Sequence, residues 1–386
     1  MPDACEIVMK FSHCFHNSLP YSSLSLNNKV KYMQNVIVVY GGQSSEHETA
    51  RKSFGYLYSR LQTVPLRDDI AITHIMYIAK DGQAVVSAYE PAKSATDYES
   101  GQRMALIDAI KFVIDNDLFV YGVLFGQNGE DGRAQGMADF FSLKTSLGGL
   151  ISCALGMSKY HLNQYVRANF PQIKVPKTVA ITTTDKLENA LVALKGKTIV
   201  VKPNSLGSSV MTEKFHYTDE AFPKIRELIT SILNYDTRAL VQEYVNGVEY
   251  SCSCLEYDGK VLPLAAVKIE TPNNFYGQKE KFIKGQSSTA VVHEEDDSST
   301  LRLAKETGAA VFADLDFQNA ARFDFILTDN DAYFLEANPM PGILQGSILT
   351  QALRANGWDV EKLIEIAVDN SNNRKSKATE YQYTVE

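Results

Sequence analysis

Cysteine is scarce in this 386-residue chain, and what there is does not look paired. Cys5, Cys14, Cys153, Cys252 and Cys254 form no Cys-x-x-Cys and no disulfide-like framework, so reduced thiols and a cytoplasmic location are expected. Long apolar runs are missing too. None reaches the ~18 residues of a membrane-spanning helix. The first 32 residues lack both the apolar core of a secretory signal and the Arg-rich stripe of a transit peptide. Rich in Ser, Asn and His, they read as an appended, disordered arm or a misassigned start before Met33. His13-Cys14-Phe15-His16 falls short of the about four ligands of a closed zinc site. Basic residues are outnumbered, 38 against 46, and the net charge of -8 argues against general nucleic-acid or anionic-membrane binding. No Gly-Lys-Ser/Thr phosphate loop of the Walker type is present.

What is present suits a soluble enzyme of two or three domains. Asn35 to Tyr40 is a continuous apolar run before Gly41-Gly42, as in a buried parallel strand. Ser45 and Glu48 have capping-box spacing, and Phe54, Leu57, Tyr58 and Leu61 recur at helical intervals. Strands are expected near 71–78 and 119–125, with a helix after Gly129-Glu130-Asp131-Gly132. Residues 33–147 therefore form an α/β unit with a parallel sheet. A second unit, 148–238, carries a helix over Ser158 to Ala168, strands over 175–181 and 198–202, and a helix between them. A third, 239–370, starts with the strand Ala239 to Glu243. The tail 371–386 is polar and expected to be mobile.

Chemistry concentrates in Arg322 to Gly342. Two β-like runs flank Thr328 to Asp331, and a hairpin centred near Asn330 sets Asp324 opposite Glu336 and Arg322 opposite Asn338. One face then gathers two carboxylates, an amide and a guanidinium, which a plain core would not tolerate. Such oxygen donors suit Mg²⁺ shared with a phosphorylated ligand. The loop Asn204 to Ser209 is rich in small residues and reads as a hairpin turn or a phosphate clamp. Lys202, ending an apolar strand, favours the clamp because a buried lysine needs an anionic partner. Gln242 to Val245 with Glu249 reads as a plain strand and turn, or as a hinge whose backbone meets adenine while a carboxylate holds ribose.

The order of these pieces resembles that of ATP-grasp ligases. More closely, GGQSSEHE, FGQNGEDGRAQG, SCALGMSK, VVKPNSLGSSV and EANPMPGILQGS resemble successive motifs of the D-alanine–D-alanine ligase family from about Val36 to Asp369. The resemblance implies a three-domain ATP-grasp architecture of the α/β (α+β) class. It implies an ATP-dependent carboxylate–amine ligase of peptidoglycan synthesis working through an acyl phosphate. Its partners would be two small amino-acid substrates and two Mg²⁺ (or Mn²⁺) ions, with a homodimer common in the family. By the same resemblance, Asp324, Glu336 and Asn338 hold metal. Lys159, Lys202, Gly207, Ser209, Gln242, Glu243, Val245 and Glu249 bind ATP. Glu46 meets the amino group of the first substrate, and Ser347, Phe125 and Phe282 line the amino-acid pockets. Arg322, the Gly342 N–H, Ser208 and Lys281 serve the reaction. Thr271 to His293 is expected as a lid, with Lys279 or Lys284 as substitutes for Lys281.

Departures from the family pattern fall on the amino-acid side. Phe125 stands where histidine is usual, Phe282 where tyrosine is usual, and Pro339 where threonine is usual; Ile343 to Gly346 is less polar than its counterpart. Ligase chemistry is therefore expected, with a specificity that has drifted from D-Ala plus D-Ala. The alternatives are a ligase for another dipeptide, depsipeptide or natural-product amide, and a non-catalytic nucleotide-binding protein.

Overall fold

The computed structural model describes residues 33–271, 275, 277 and 287–374. The apolar run at its start is β1 (Gln34–Gly41), which lies parallel to β2 (Ile70–Ile78) on one side and β5 (Phe119–Leu124) on the other. Antiparallel β3 (Ala84–Ala88) and β4 (Arg103–Met104) extend one edge, giving the order β4-β3-β2-β1-β5. Val36, Val38 and Tyr40 pack with α1 (His47–Leu61), while Ile37 and Val39 pack with α2 (Leu106–Asp115) and α3 (Arg133–Phe140). Burial on both faces is why this strand reads as an unbroken apolar run rather than an alternating one. Gly41 closes it at φ +94°, and a Cβ there would lie 2.3 Å from the Ile78 carbonyl oxygen.

The start of α1 differs from the expected capping box. Glu46 is the N-cap and no side chain caps the helix, so Ser45 and Glu48 do not play those parts. Ser44 organises the entry instead: its hydroxyl donates to the Phe125 carbonyl (2.6 Å) and accepts from the Glu46 N–H (3.1 Å). Glu48 turns outward to Arg51 (2.7 Å) and Lys80 (3.1 Å). Ser45 itself donates to Gln127 Oε1 at 3.3 Å, a tertiary bond in place of the local cap.

Next come α4 (Leu150–Met157) and α5 (Lys159–Asn169), then an antiparallel sheet of β6 (Thr178–Ile181), β7 (Thr198–Pro203), β8 (Glu213–His216) and β9 (Ala239–Glu243), ordered β6-β9-β7-β8. The helices α6 (Leu187–Leu191) and α7 (Phe222–Leu233) pack with it in one core. Two boundaries differ from expectation. β9, expected to open the third unit, lies between β6 and β7 in this sheet. Conversely, Leu162 and Val166 of α5 join the core of the third sheet. An apolar stripe records that an element is buried, not which sheet buries it.

That third sheet comprises β10 (Val248–Tyr257), β11 (Lys260–Pro263), β12 (Ala266–Glu270), β13 (Ser288–Val292), β14 (Ala320–Leu327) and β15 (Ala332–Asn338), ordered β13-β12-β10-β14-β15 with β11 on β10. One face is covered by α8 (Ser299–Asp314). Part of the stretch expected as a lid is thus β13, an edge strand; Lys279, Lys281, Phe282 and Lys284 lie outside the described residues. The last helices, α9 (Ile348–Ala355) and α10 (Lys362–Asn373), return to the first sheet, where Leu349, Leu353 and Ile364 pack in the core containing Val36 and Phe54. Arg60–Glu361 (2.8 Å) and Arg67–Asp369 (2.6 Å) pin this return. The last helix passes Ser371, where a mobile tail was expected to begin, and 375–386 lie outside the described residues.

Phe323 is fully buried beneath β14, edge-on to Phe317 at 5.3 Å between ring centroids. Phe323→Ala should cost about 3–5 kcal/mol of unfolding free energy, read from urea denaturation.

Candidate active site

The hairpin of β14 and β15 carries the register expected from the sequence, but by an indirect route. Next to the turn, Leu327 pairs with Ala332 and Phe325 with Phe334. Continued unchanged, that ladder would bring Leu335 opposite Asp324. A bulge between Asp324 and Phe325 shifts the register, so Asp324 pairs with Glu336 and Arg322 with Asn338. Phe325 and Phe334 meanwhile stay in the core, 5.5 Å apart in an edge-to-face pair.

Two cavities flank this strand pair. One, of about 110 Å³, is lined by Pro176, Val200, Leu206, Ile326 and Leu335 together with the backbone-rich segment Gln242 to Val245. Lys202, Ser209, Glu249 and Asp324 supply its polar wall. The other, of about 170 Å³, is lined by Glu46, Phe125, Glu130, Arg322, Asn338, Pro339, Met340, Gly342 and Ser347. Lys159, Gly207, Ser208 and Glu336 line both. All of the expected site residues that fall within the described residues therefore border one cavity or the other.

Charge is dense here. Arg322 clamps Asp324 through Nε (2.9 Å) and a terminal nitrogen (2.8 Å), and Ser251 donates to the same carboxylate at 2.6 Å. Burial works against the Arg322 charge, but Asp324, Glu336 and Glu249 outweigh it and hold the guanidinium firmly protonated. Lys202 is 8% exposed, and burial, helped by Lys159, lowers its pKa against the pull of Glu336, Glu249 and Asp324. An added polyanion would reverse that balance. Lys159 lies 3.7 Å from Glu336 and donates to the Leu206 carbonyl at 3.0 Å.

The loop after Lys202 is held in an unusual shape. Ser208 and Ser209 both sit at φ +54°, a left-handed conformation uncommon for residues that carry a side chain, and the Val210 N–H closes the turn onto the Gly207 carbonyl at 3.2 Å. Asn204, 3% exposed, anchors the loop: its amide donates to Ser158 (3.1 Å) and Ser205 (2.8 Å) and accepts from the Tyr160 N–H (2.9 Å). In the adenine-hinge candidate, the Gln242 side chain is occupied with Thr178 (2.9 Å), and Glu243 lies 3.5 Å from Lys197. Ser347 caps α9 and donates to the Gly342 carbonyl at 2.7 Å.

Sequence reasoning passed over three residues. Ser251 was findable from the Ser-Cys-Ser-Cys alternation of β10, which sends its serines to one face and its cysteines to the core. Asn204 opens the loop after Lys202, but its partners Ser158 and Tyr160 are distant in sequence. Glu130 lay inside Gly-Glu-Asp-Gly and was read as part of a turn. It is 4% exposed, accepts from the Gly126 N–H at 2.9 Å through Oε1, and its Oε2 has no hydrogen-bond partner among the described residues. Burial, and then the neighbouring charge of Glu46, push its pKa up to about 8.

Among the described residues, no group of three or more His, Cys, Asp or Glu forms a metal cage. The donors on the hairpin are two carboxylates and one amide, all oxygen. That set fits a hard cation completing its shell with phosphate oxygens and water, and does not fit zinc.

Three sheets around paired cavities agree with the expected ATP-grasp architecture. The fold agrees with that of the VanG D-Ala:D-Ser ligase from Enterococcus faecalis, at TM-score 0.69 and 20% identity over 88% of this chain and 99% of that one. The family model described as the D-ala D-ala ligase C-terminus matches residues 168–369. A D-alanine–D-alanine ligase from Listeria welshimeri is 27% identical over 91% of this chain and 99% of its own length. One from Pediococcus pentosaceus is 25% identical over 86% and 96%. The chain belongs to the D-alanine–D-alanine ligase family and is an ATP-dependent carboxylate–amine ligase.

The raised pKa of Glu130 has a consequence for stability. Unfolded, its carboxyl ionises near the ordinary 4.5; folded, near 8. Between these values the native state keeps a proton the unfolded chain has lost, so this group lowers stability as pH rises from 4.5 to 8. Glu130→Gln should therefore gain stability relative to the parent across that interval, read from paired melting curves.

Proposed function

We propose that the enzyme joins two small amino acids, D-alanine in the first position, with ATP in the open slot bordered by Lys202 and Glu249 and both amino acids in the cavity bordered by Glu46 and Ser347. The observation that carries this reading is the shared wall. Lys159, Gly207, Ser208 and Glu336 border both cavities, so a γ-phosphoryl group at the junction reaches a carboxylate on the other side.

In the slot, adenine lies between the apolar side chains and the Gln242 to Val245 backbone, with Glu249 toward ribose. Lys202, Lys159 and the Ser208–Ser209 loop receive the phosphates. Asp324, Glu336 and Asn338 would hold Mg²⁺, which when bound neutralises phosphate charge. Across the junction Glu46, at the N-terminus of α1, receives the first ammonium, and that helix end favours its anionic form. Phosphoryl transfer to the first carboxylate forms an acyl phosphate and ADP. The second amine attacks its carbonyl carbon; Arg322 and the Gly342 N–H offset the oxyanion before phosphate leaves.

Phe125, Met157, Pro339 and Met340 make the amino-acid end of the cavity apolar, which favours small uncharged side chains. This supports a drifted specificity on that side more than a change of reaction. The described cysteines, Cys153, Cys252 and Cys254, are free and buried, in keeping with a cytoplasmic enzyme. Exposed Phe140 and Ile151, on the neighbouring helices α3 and α4, would suit a homodimer contact.

Asp324→Asn preserves volume and removes the anionic ligand. ADP release with D-alanine, ATP and Mg²⁺ should fall about 100-fold or more while the circular dichroism spectrum is unchanged. Undiminished release would refute the metal assignment. Mass spectrometry of products over D- and L-amino acids and hydroxy acids checks the substrate class: a D-alanyl dipeptide is expected, and its absence beside another product would reassign the first subsite.

A further inference from the structure

Glu130 is the buried acid that the mechanism above leaves unused. Its Oε1 is tied to the Gly126 N–H, which fixes the side chain on the cavity wall. Glu46 approaches the same glycine: a Cβ on Gly126 would lie 3.5 Å from Glu46 Cγ. On its other side Glu46 presses against Gly207, where a Cβ would meet Glu46 Oε1 at 2.1 Å. The two carboxyl groups thus flank one turn and line one cavity, next to the phosphate loop.

A buried carboxyl oxygen with no hydrogen-bond partner is destabilising unless something fills the gap. An ammonium group carries three N–H donors, more than one carboxylate can accept in good geometry. We propose that Glu130 and Glu46 together form a two-carboxylate receptor for the ammonium of the first amino acid, with Glu130 Oε2 as its second acceptor. This rests on the seating of that ammonium at Glu46 given above, and adds a second binding residue.

The carboxyl pair also has an electrostatic logic. Two carboxylates held together at low dielectric do not both ionise, and Glu130 is the one that keeps its proton. The groups facing it are Glu46 from α1, Lys159 from α5, Arg322 from β14 and the Cys153 thiol from α4, with Asp131 next in the chain. Arg322 and Lys159 lower its pKa, but less than burial and Glu46 raise it. An arriving ammonium replaces the proton, which leaves to solvent. Substrates without an amino group forgo this exchange, so the pair selects amino acids over hydroxy acids.

The test uses the full chain with D-alanine, ATP, Mg²⁺ and excess hydroxylamine. Hydroxylamine displaces phosphate from the acyl phosphate to give the hydroxamate, so hydroxamate yield reports the first subsite. Glu130→Gln keeps the shape and the Gly126 bond but replaces the accepting oxygen with a donor. The expected result is a Michaelis constant for D-alanine raised about tenfold or more, with that for ATP changed less than about threefold, as for loss of a charge-assisted bond. Glu46→Gln should behave alike, and the double variant should lose less than the product of the two effects. If Glu46→Gln weakens D-alanine and Glu130→Gln does not, the second acceptor is refuted and the proposed function stands. If neither does, the ammonium seat itself is wrong. A Glu130→Gln protein that weakens ATP equally would mark Glu130 as a prop for the loop and overturn the inference.

Discussion

One extra residue in a β-strand decides where the chemistry of this protein sits. The bulge at Leu335 lets β15 keep Phe334 in the core while turning Glu336 and Asn338 onto the face that carries Arg322 and Asp324. Without it, strict alternation from Phe334 would send Glu336 into an apolar core, where an unpaired carboxylate is very costly. Bulges near active sites re-aim side chains in this way. Everything else gathers around that face: Lys159 from a helix, Lys202 and the serine loop after it from a second sheet, and Ser251 from the adjacent strand.

The gathered charges share one constraint, desolvation. Arg322 and Asp324 satisfy each other, with Ser251 taking part of the remaining acceptor capacity. Lys202 and Glu130 are less well satisfied, one pulled toward the neutral amine and the other toward the neutral acid. Both departures follow from burial, and a ligand of opposite sign would oppose each. A phosphate would restore Lys202, as an ammonium would Glu130. Binding energy and pKa are thus two readings of the same cavity electrostatics.

Much of the fold was legible because burial leaves a periodic trace. The double-sided burial of β1, the helical stripe of α1 and the phenylalanines of the hairpin each follow from their own neighbours in sequence. Which elements share a sheet was less legible. β9 and α5 show the limit: each reads as a buried element, yet β9 belongs with β7 and α5 with β15, across the unit boundaries drawn from the sequence. The capping box at Ser45 misled for a related reason, since residues distant in sequence claim both hydroxyls at the helix start, Phe125 that of Ser44 and Gln127 that of Ser45.

By itself the sequence determined the chemical inventory: oxygen donors two apart on paired strands, a lysine before a flexible loop, an acid at a helix entry, and the order of these pieces. Those are local facts, written in spacing and residue type. The tertiary structure decided which of them face one another. It put Lys159, Gly207, Ser208 and Glu336 on the wall between two cavities, and it set Glu130 beside Glu46, 84 positions apart in sequence. It also decided the bulge, because the cost of a misplaced carboxylate exists only once there is a core on one side of the strand and a cleft on the other.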